Sequence, residues 1–366
     1  MGSESTLPGV RRIAGIVLAV LLIGGVVAAV VAGREGKDTG TATKTVRGVI
    51  GSEKADFFAD PAVVKALAAK GYTVKTETSG SWAMEDLKLD GYDFAFPSSQ
   101  APADALADKY HARQPLPRPF YSPLAVVAHR SSAQVLAANG LATLDHDRGT
   151  LHMAAYLDAA RHDRTWQQLK GARSHAELTG TLYIATTDPE TSNSGALYLA
   201  AASYVAGGGR VAAGKADVDR TAPLMHKLIS VQGAQQPSSD AAFRDFVSGV
   251  GNPLVLVYES QVAALLHDGR GVDDLTVLYP DTTANSDHTV VPLTQAGRDL
   301  GELLSTDPAL RKLAVRHGFR PQGDSAEFTA ATAPFASYIN QKLTGIRQVP
   351  VPTSAVLHEM ARRARN

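Results

Sequence analysis

Between Asp188 and Gly195 the chain reads DPETSNSG, a cluster of small hydroxyl and amide side chains set between an apolar run, Leu182 to Thr187, and another, Ala196 to Val205. Residues of this type ahead of a helix either cap it or leave backbone N–H groups free to hold a polar or anionic group. Thr191, Ser192, Asn193 and Ser194 are therefore candidate ligand contacts. The same chemistry recurs after other apolar runs: Ser52 and Glu53 follow TVRGVI, Ser79 and Ser81 follow YTVKTET, Ser98 and Ser99 follow YDFAFP, and Tyr258 and Glu259 close PLVLVY. Any one serine is explained by local turn bonding. Recurrence at successive strand ends points to one ligand-facing edge.

The elements that would position these residues follow from periodicity. Short β-rich runs at Thr45–Ile50, Tyr72–Thr78, Tyr92–Pro97, Pro123–His129, Leu182–Thr187, Pro253–Tyr258 and Leu275–Pro280 alternate with amphipathic stretches, the pattern of α/β lobes with mainly parallel sheets. A helix is expected over about Asp60–Lys70, ended by Gly71. Further helices are expected near Gln134–Asn139, Thr150–Ala160, Thr165–Leu169, Thr221–Val231 and Asp240–Gly249, and one long closing helix from Thr294 to Gly318. Trp82 reads as a core residue. The terminal stretch VLHEMARRAR reads as a solvated capping helix, with lipid or partner contact as the alternative.

Composition narrows the function. The chain has 366 residues and equal numbers, 36 each, of basic and acidic side chains, so it lacks the surplus expected of a nucleic-acid binder. It has no cysteine, which removes disulfides, thiolate metal sites and a cysteine nucleophile. No G-x-S-x-G elbow or Ser-x-x-Lys pair occurs. His358 and Glu359 start an H-E-x-x-H pattern that fails at Arg362, and Gly207–Arg210 lacks the Lys-Ser/Thr of a P-loop. Asp145, His146, Asp147 and His152 read as solvated loop and helix-start residues. No catalytic residue, metal site or cofactor is expected.

Residues Ile13 to Gly33 form a run without charge, long enough to cross a bilayer, where about 20 residues are needed. A cleavable signal peptide is the rival reading, with a shorter apolar region expected. A retained anchor places the short amino end in the cytoplasm and everything after residue 34 outside it.

GSEK with FFADPAVVKALAAKGYTV, SGSWAM, TDPETSNSGALYLAAASYV and PLVLVYESQ together resemble the type II periplasmic-binding-protein superfamily, the extracytoplasmic solute-binding proteins that serve transporters. The loop TDPETSNSG is similar to one that sulfate and molybdate binders use from their second lobe. Similar domains also occur joined to a von Willebrand factor A domain, whose Asp-x-Ser-x-Ser signature this chain lacks. The resemblance implies an α/β fold of two lobes joined by two hinge crossings, placed at Ala125–His129 and Val277–Pro280. The expected organisation is a cytoplasmic terminus (1–12), anchor (13–33), linker (34–44), lobe I (45–126 and 278–348), lobe II (127–277) and a basic tail (349–366). It implies a small polar solute, an oxyanion among the candidates, held by Ser52, Glu53, Ser81, Ser98 and Ser99 from one side. Thr191, Ser192, Asn193, Ser194, Tyr258 and Glu259 would hold it from the other. A membrane permease of ABC type is the implied partner, and a membrane-tethered sensor or scaffold with an occluded cleft is the alternative. Glu53, Glu190 and Glu259 depart from the oxyanion pattern, because a carboxylate beside a buried anion is repulsive.

Overall fold

The computed structural model describes residues 43–269, 273–284, 286–323 and 325–366. The expected membrane segment Ile13–Gly33 lies outside them; among the described residues no helix is long and apolar enough to cross a membrane.

The first lobe is built on β1 (Lys44–Ile50), β2 (Tyr72–Thr78), β3 (Phe94–Phe96) and β12 (Val291–Pro292), in the order β12-β3-β1-β2. β1 is parallel to β2 and to β3, and β12 runs antiparallel to β3. The β1-to-β2 crossover carries the expected helix, Pro61–Ala69, because Asp60 caps it by accepting from the Ala62 amide at 2.7 Å and Gly71 ends it at φ +84°. Its Val63 and Leu67 join Val46, Phe57, Phe94 and Leu300 in one core.

The second lobe is built on β5 (Leu124–His129), β6 (Ala142–Asp145), β7 (Arg148–Leu151), β8 (Leu254–Tyr258) and β9 (Leu275–Pro280), in the order β6-β7-β9-β5-β8. The β6–β7 hairpin turns through Asp145, His146 and Asp147; Asp145 and Asp147 pair with Arg148 and Arg130. This hairpin replaces the first turn of the helix expected from Thr150, which begins at Met153. Leu182–Thr187 lies alongside β8 but forms no regular strand. Ala185 bonds both ways with β8, while the neighbouring amides are taken by side chains: Ile184 N–H by the Tyr156 hydroxyl and Thr186 N–H by Gln232.

Two small sheets join these layers: β4 (Phe120–Tyr121) between β11 (Asp287–His288) and β13 (Arg320–Pro321), and β10 (Thr282–Ala284) with β14 (Arg347–Val349). They move the crossings from where the sequence places them. β5 and β9 belong wholly to the second sheet and pair with each other, so the boundaries expected at residues 126/127 and 277/278 fall inside paired strands. The chain changes sheets instead at Ser122–Pro123 and between Pro280 and Asp287, and the two crossings touch through Ser122 N–H on the Ser286 carbonyl, 3.3 Å.

The closing segment differs in two ways. The expected helix from Thr294 breaks into Gln295–Thr306 and Pro308–Arg316, because Pro308 cannot continue a helix and Asp307 caps the second piece through the Ala309 and Leu310 amides. Phe328 and Ile339, expected in lobe I, pack under the second sheet with Val127, Val255 and Val277. The helix Ser354–Arg365, read as a solvated cap on a basic tail, buries Val356, Leu357, Met360 and Ala364 in the second lobe's main core.

Candidate functional site

The strand ends of the first lobe face the start of the helix Asn193–Ala206 from the second. Ser81 Oγ accepts the Ser98 amide at 3.0 Å and bonds Ser98 Oγ at 3.2 Å, and Ser98 Oγ in turn donates to Glu53 Oε1 at 2.6 Å. Ser99 Oγ crosses to Asn193 Oδ1 at 2.5 Å, and Asn193 Nδ2 donates to the Tyr258 hydroxyl at 2.9 Å. One chain of hydroxyls and amides thus runs from β3 through the site helix to the end of β8. Burial and the field of the nearby Glu53 hold the Tyr258 hydroxyl protonated, well above its ordinary range.

The cleft is closed. Ser52, Glu53, Ser81, Ser98, Ser192, Asn193 and Tyr258 line what remains, leaving about 10 Å³ for the centres of water molecules, room for roughly one. The lobes bond directly across it: the Thr191 carbonyl accepts the Trp82 amide at 3.2 Å and the Ala83 amide at 3.1 Å. Gly80 permits this approach, since a Cβ there would stand 2.3 Å from the Thr191 oxygen. Trp82 leaves the first lobe and is buried in the second lobe's core beside His358, ring centroids 4.6 Å apart.

Behind the hydroxyls lies a buried charged cluster. Lys54, fully buried, donates to Glu53 Oε1, to Ser98 Oγ at 3.2 Å and to His288 Nδ1 at 3.1 Å, and its ammonium stands 4.8 Å over the Phe96 ring. Burial lowers the Lys54 pKa, and the adjacent Glu53 carboxylate opposes the shift. Burial and the neighbouring Lys54 push His288 well down, so its ring is neutral. With Nδ1 accepting from Lys54 the proton resides on Nε2, which is buried without a partner among the described residues.

The sequence candidates divide on these contacts. Ser52, Glu53, Ser81, Ser98, Ser192, Asn193 and Tyr258 come together at the cleft. Ser194 turns inward and holds the site loop by bonding Thr187 Oγ1 at 2.7 Å. Thr191 contributes its carbonyl to lobe contact, and Ser99 contributes its hydroxyl. Glu259 is a correction: it starts the helix Glu259–His267, points away from the cleft, and is held by Arg320 (Nη2 to Oε1, 2.8 Å) and Tyr279. Glu190 faces Arg365 at the surface. His288 and the segment Pro237–Ser239 were not legible as site residues. Ser238 repeats the hydroxyl-before-helix signal, capping Ser239–Val247 by accepting the Ala241 amide, whereas nothing local marks His288.

No family model matches the chain, and no curated protein matches it by sequence. Solved structures do. The sulfate-binding protein SubI of Mycobacterium tuberculosis H37Rv is similar at TM-score 0.55 and 18% identity, over 86% of this chain and 96% of that one. A periplasmic thiamin-binding protein is similar at TM-score 0.57 and 13% identity, over 91% and 99%. The periplasmic binding protein AfuA of Actinobacillus pleuropneumoniae, solved with fructose-6-phosphate, is similar at TM-score 0.55 and 13% identity, over 88% and 97%. The chain therefore has the two-lobed α/β fold of the type II periplasmic binding proteins.

Proposed function

We propose that this protein captures a small polar solute between its two lobes and delivers it to a membrane permease of ABC type. The observation that carries the reading is the convergence of Ser81, Ser98, Ser192, Asn193 and Tyr258, drawn from both lobes, on one buried point between them. Neutral donors suit such a role because their hydrogen bonds strengthen as closure removes water. The fold supports it, since three similar structures are of proteins that bind sulfate, thiamin or a sugar phosphate. The charge-free run Ile13–Gly33 serves as the anchor and holds the lobes on the extracytoplasmic side. Chemistry on the solute is not part of the proposal.

Calorimetry of the full chain in detergent, titrated with oxyanions, sugars, amino acids and metal complexes, tests the reading. One class should give saturable heat, and replacing Ser81→Ala with Ser192→Ala should weaken it by about tenfold or more, the loss expected for two buried hydrogen bonds. Saturable binding untouched by that double change would place the site elsewhere. A second reading, a membrane-tethered sensor or scaffold with an occluded cleft, draws on the direct contact of Thr191 with Trp82 and Ala83. It is favoured if none of the solutes produces heat.

A further inference from the structure

We infer that Glu53 sets the ligand class of the cleft: its carboxylate takes the position of an internal anion, so the site rejects oxyanions and admits solutes that donate hydrogen bonds, namely amines and polyols. This rests on the solute-binding reading of the same cleft.

Glu53 is the one charged side chain among the described residues lining the cavity. Its side chain is only 3% exposed, and both carboxylate oxygens turn back over Gly51, where an added Cβ would stand 2.7 Å from each. The Ser98 hydroxyl, which an incoming anion would need as a donor, is already given to Glu53 at 2.6 Å. Lys54, the nearest cation, does not line the cavity. It lies behind the carboxylate with no exposed surface, bonded to Glu53, Ser98 and His288. The order from cavity to interior is therefore hydroxyls, carboxylate, ammonium. An oxyanion entering this arrangement meets negative charge before positive charge, in surroundings too dry for screening. A hydroxyl or ammonium group meets a carboxylate acceptor at the cavity wall. Glu53 Oε2 has no hydrogen bond within the described residues and is available to such a donor, while Oε1 is occupied by Ser98 and Lys54.

The test is calorimetry of the full-length chain in detergent with sulfate and molybdate as oxyanion probes, and 1,4-diaminobutane and myo-inositol as donor probes. The wild type should give no saturable heat with either oxyanion at millimolar concentration, whereas Glu53→Gln should bind at least one of them roughly 10- to 100-fold more tightly. Circular dichroism checks that each variant is folded. Should the unpaired Lys54 unfold Glu53→Gln, the variant Glu53→Gln with Lys54→Met removes both buried charges, and it too should bind an oxyanion more tightly than wild type. The inference is overturned if the wild type binds sulfate or molybdate as tightly as the variants, or if a folded variant gains nothing. Wild-type binding of an oxyanion would leave the solute-binding reading standing and remove this one. Silence from every probe with every protein would remove this inference, while the solute-binding reading falls only if the wider panel of sugars, amino acids and metal complexes is silent too.

Discussion

Glu259 and Tyr258 are adjacent in sequence and both follow the apolar run of β8, yet they serve different ends. Tyr258 faces Asn193 across the cleft, while the first turn of the next helix carries Glu259 to Arg320, which is 2% exposed. Arg320 donates to both Glu259 oxygens and to the carbonyls of Asn340 and Gln341, and this pairing holds its pKa above the usual range despite burial. Arg320→Met should therefore leave a buried carboxylate uncompensated and cost about 3–5 kcal/mol, whereas adding Glu259→Gln should recover much of it. Urea midpoints of the two variants measure this, and an Arg320→Met protein as stable as wild type would show that Glu259 finds another partner. Sequence marks both residues only as polar groups at a strand end. Which one faces the cleft depends on a partner 61 residues further along the chain.

The helix Ser354–Arg365 illustrates what an element decides. Its basic, amphipathic pattern reads the same whether the apolar stripe meets solvent, lipid or protein. Here it packs in the second lobe's core and also reaches the first: Ser354 Oγ donates to the Ala101 carbonyl at 2.9 Å, and His358 Nε2 lies 3.4 Å from Glu85 Oε2. Glu85 raises the His358 pKa by hydrogen bonding and charge, against the effect of burial. A raised folded pKa means the native state holds this proton more tightly than the unfolded chain. The contribution is thus fully present below the ordinary histidine pKa, 6.5, and is lost as pH rises through the raised value. The thermal midpoint should fall over that interval, and His358→Gln should flatten the fall; an identical slope in wild type and variant would discount the contact. Elements with strong local signals were legible from sequence, including β1, β2, β5, β8 and β9 and the helix after Asp60. The β6–β7 hairpin was not, because its short strands are half-exposed and flank a helix that competes for the same residues.

At the scale of the whole molecule, lobe closure depends on Gly80 and Trp82. A methyl group on Gly80 would meet the Thr191 carbonyl, and opening would draw Trp82, 3% exposed, out of the second lobe's core. Gly80→Ala should shift the population toward open lobes. The radius of gyration from small-angle scattering should increase and tryptophan emission should move to the red, with Trp82 as the reporter because Trp166 is enclosed within the second lobe. Unchanged scattering and emission would mean that closure tolerates the added methyl. Sequence by itself determined the alternation of strands and helices, the α/β class and the hydroxyl-bearing strand ends, since these follow from local periodicity and from the preference of serine for turns and helix starts, while the two lobes followed from the family resemblance. Only the tertiary structure decided that Glu53 faces the cleft and Glu259 does not, that His288 joins Lys54, and that the chain changes sheets at Ser122–Pro123 rather than inside β5. Those outcomes rest on side-chain direction and on contacts between residues far apart in the chain, which local pattern does not encode.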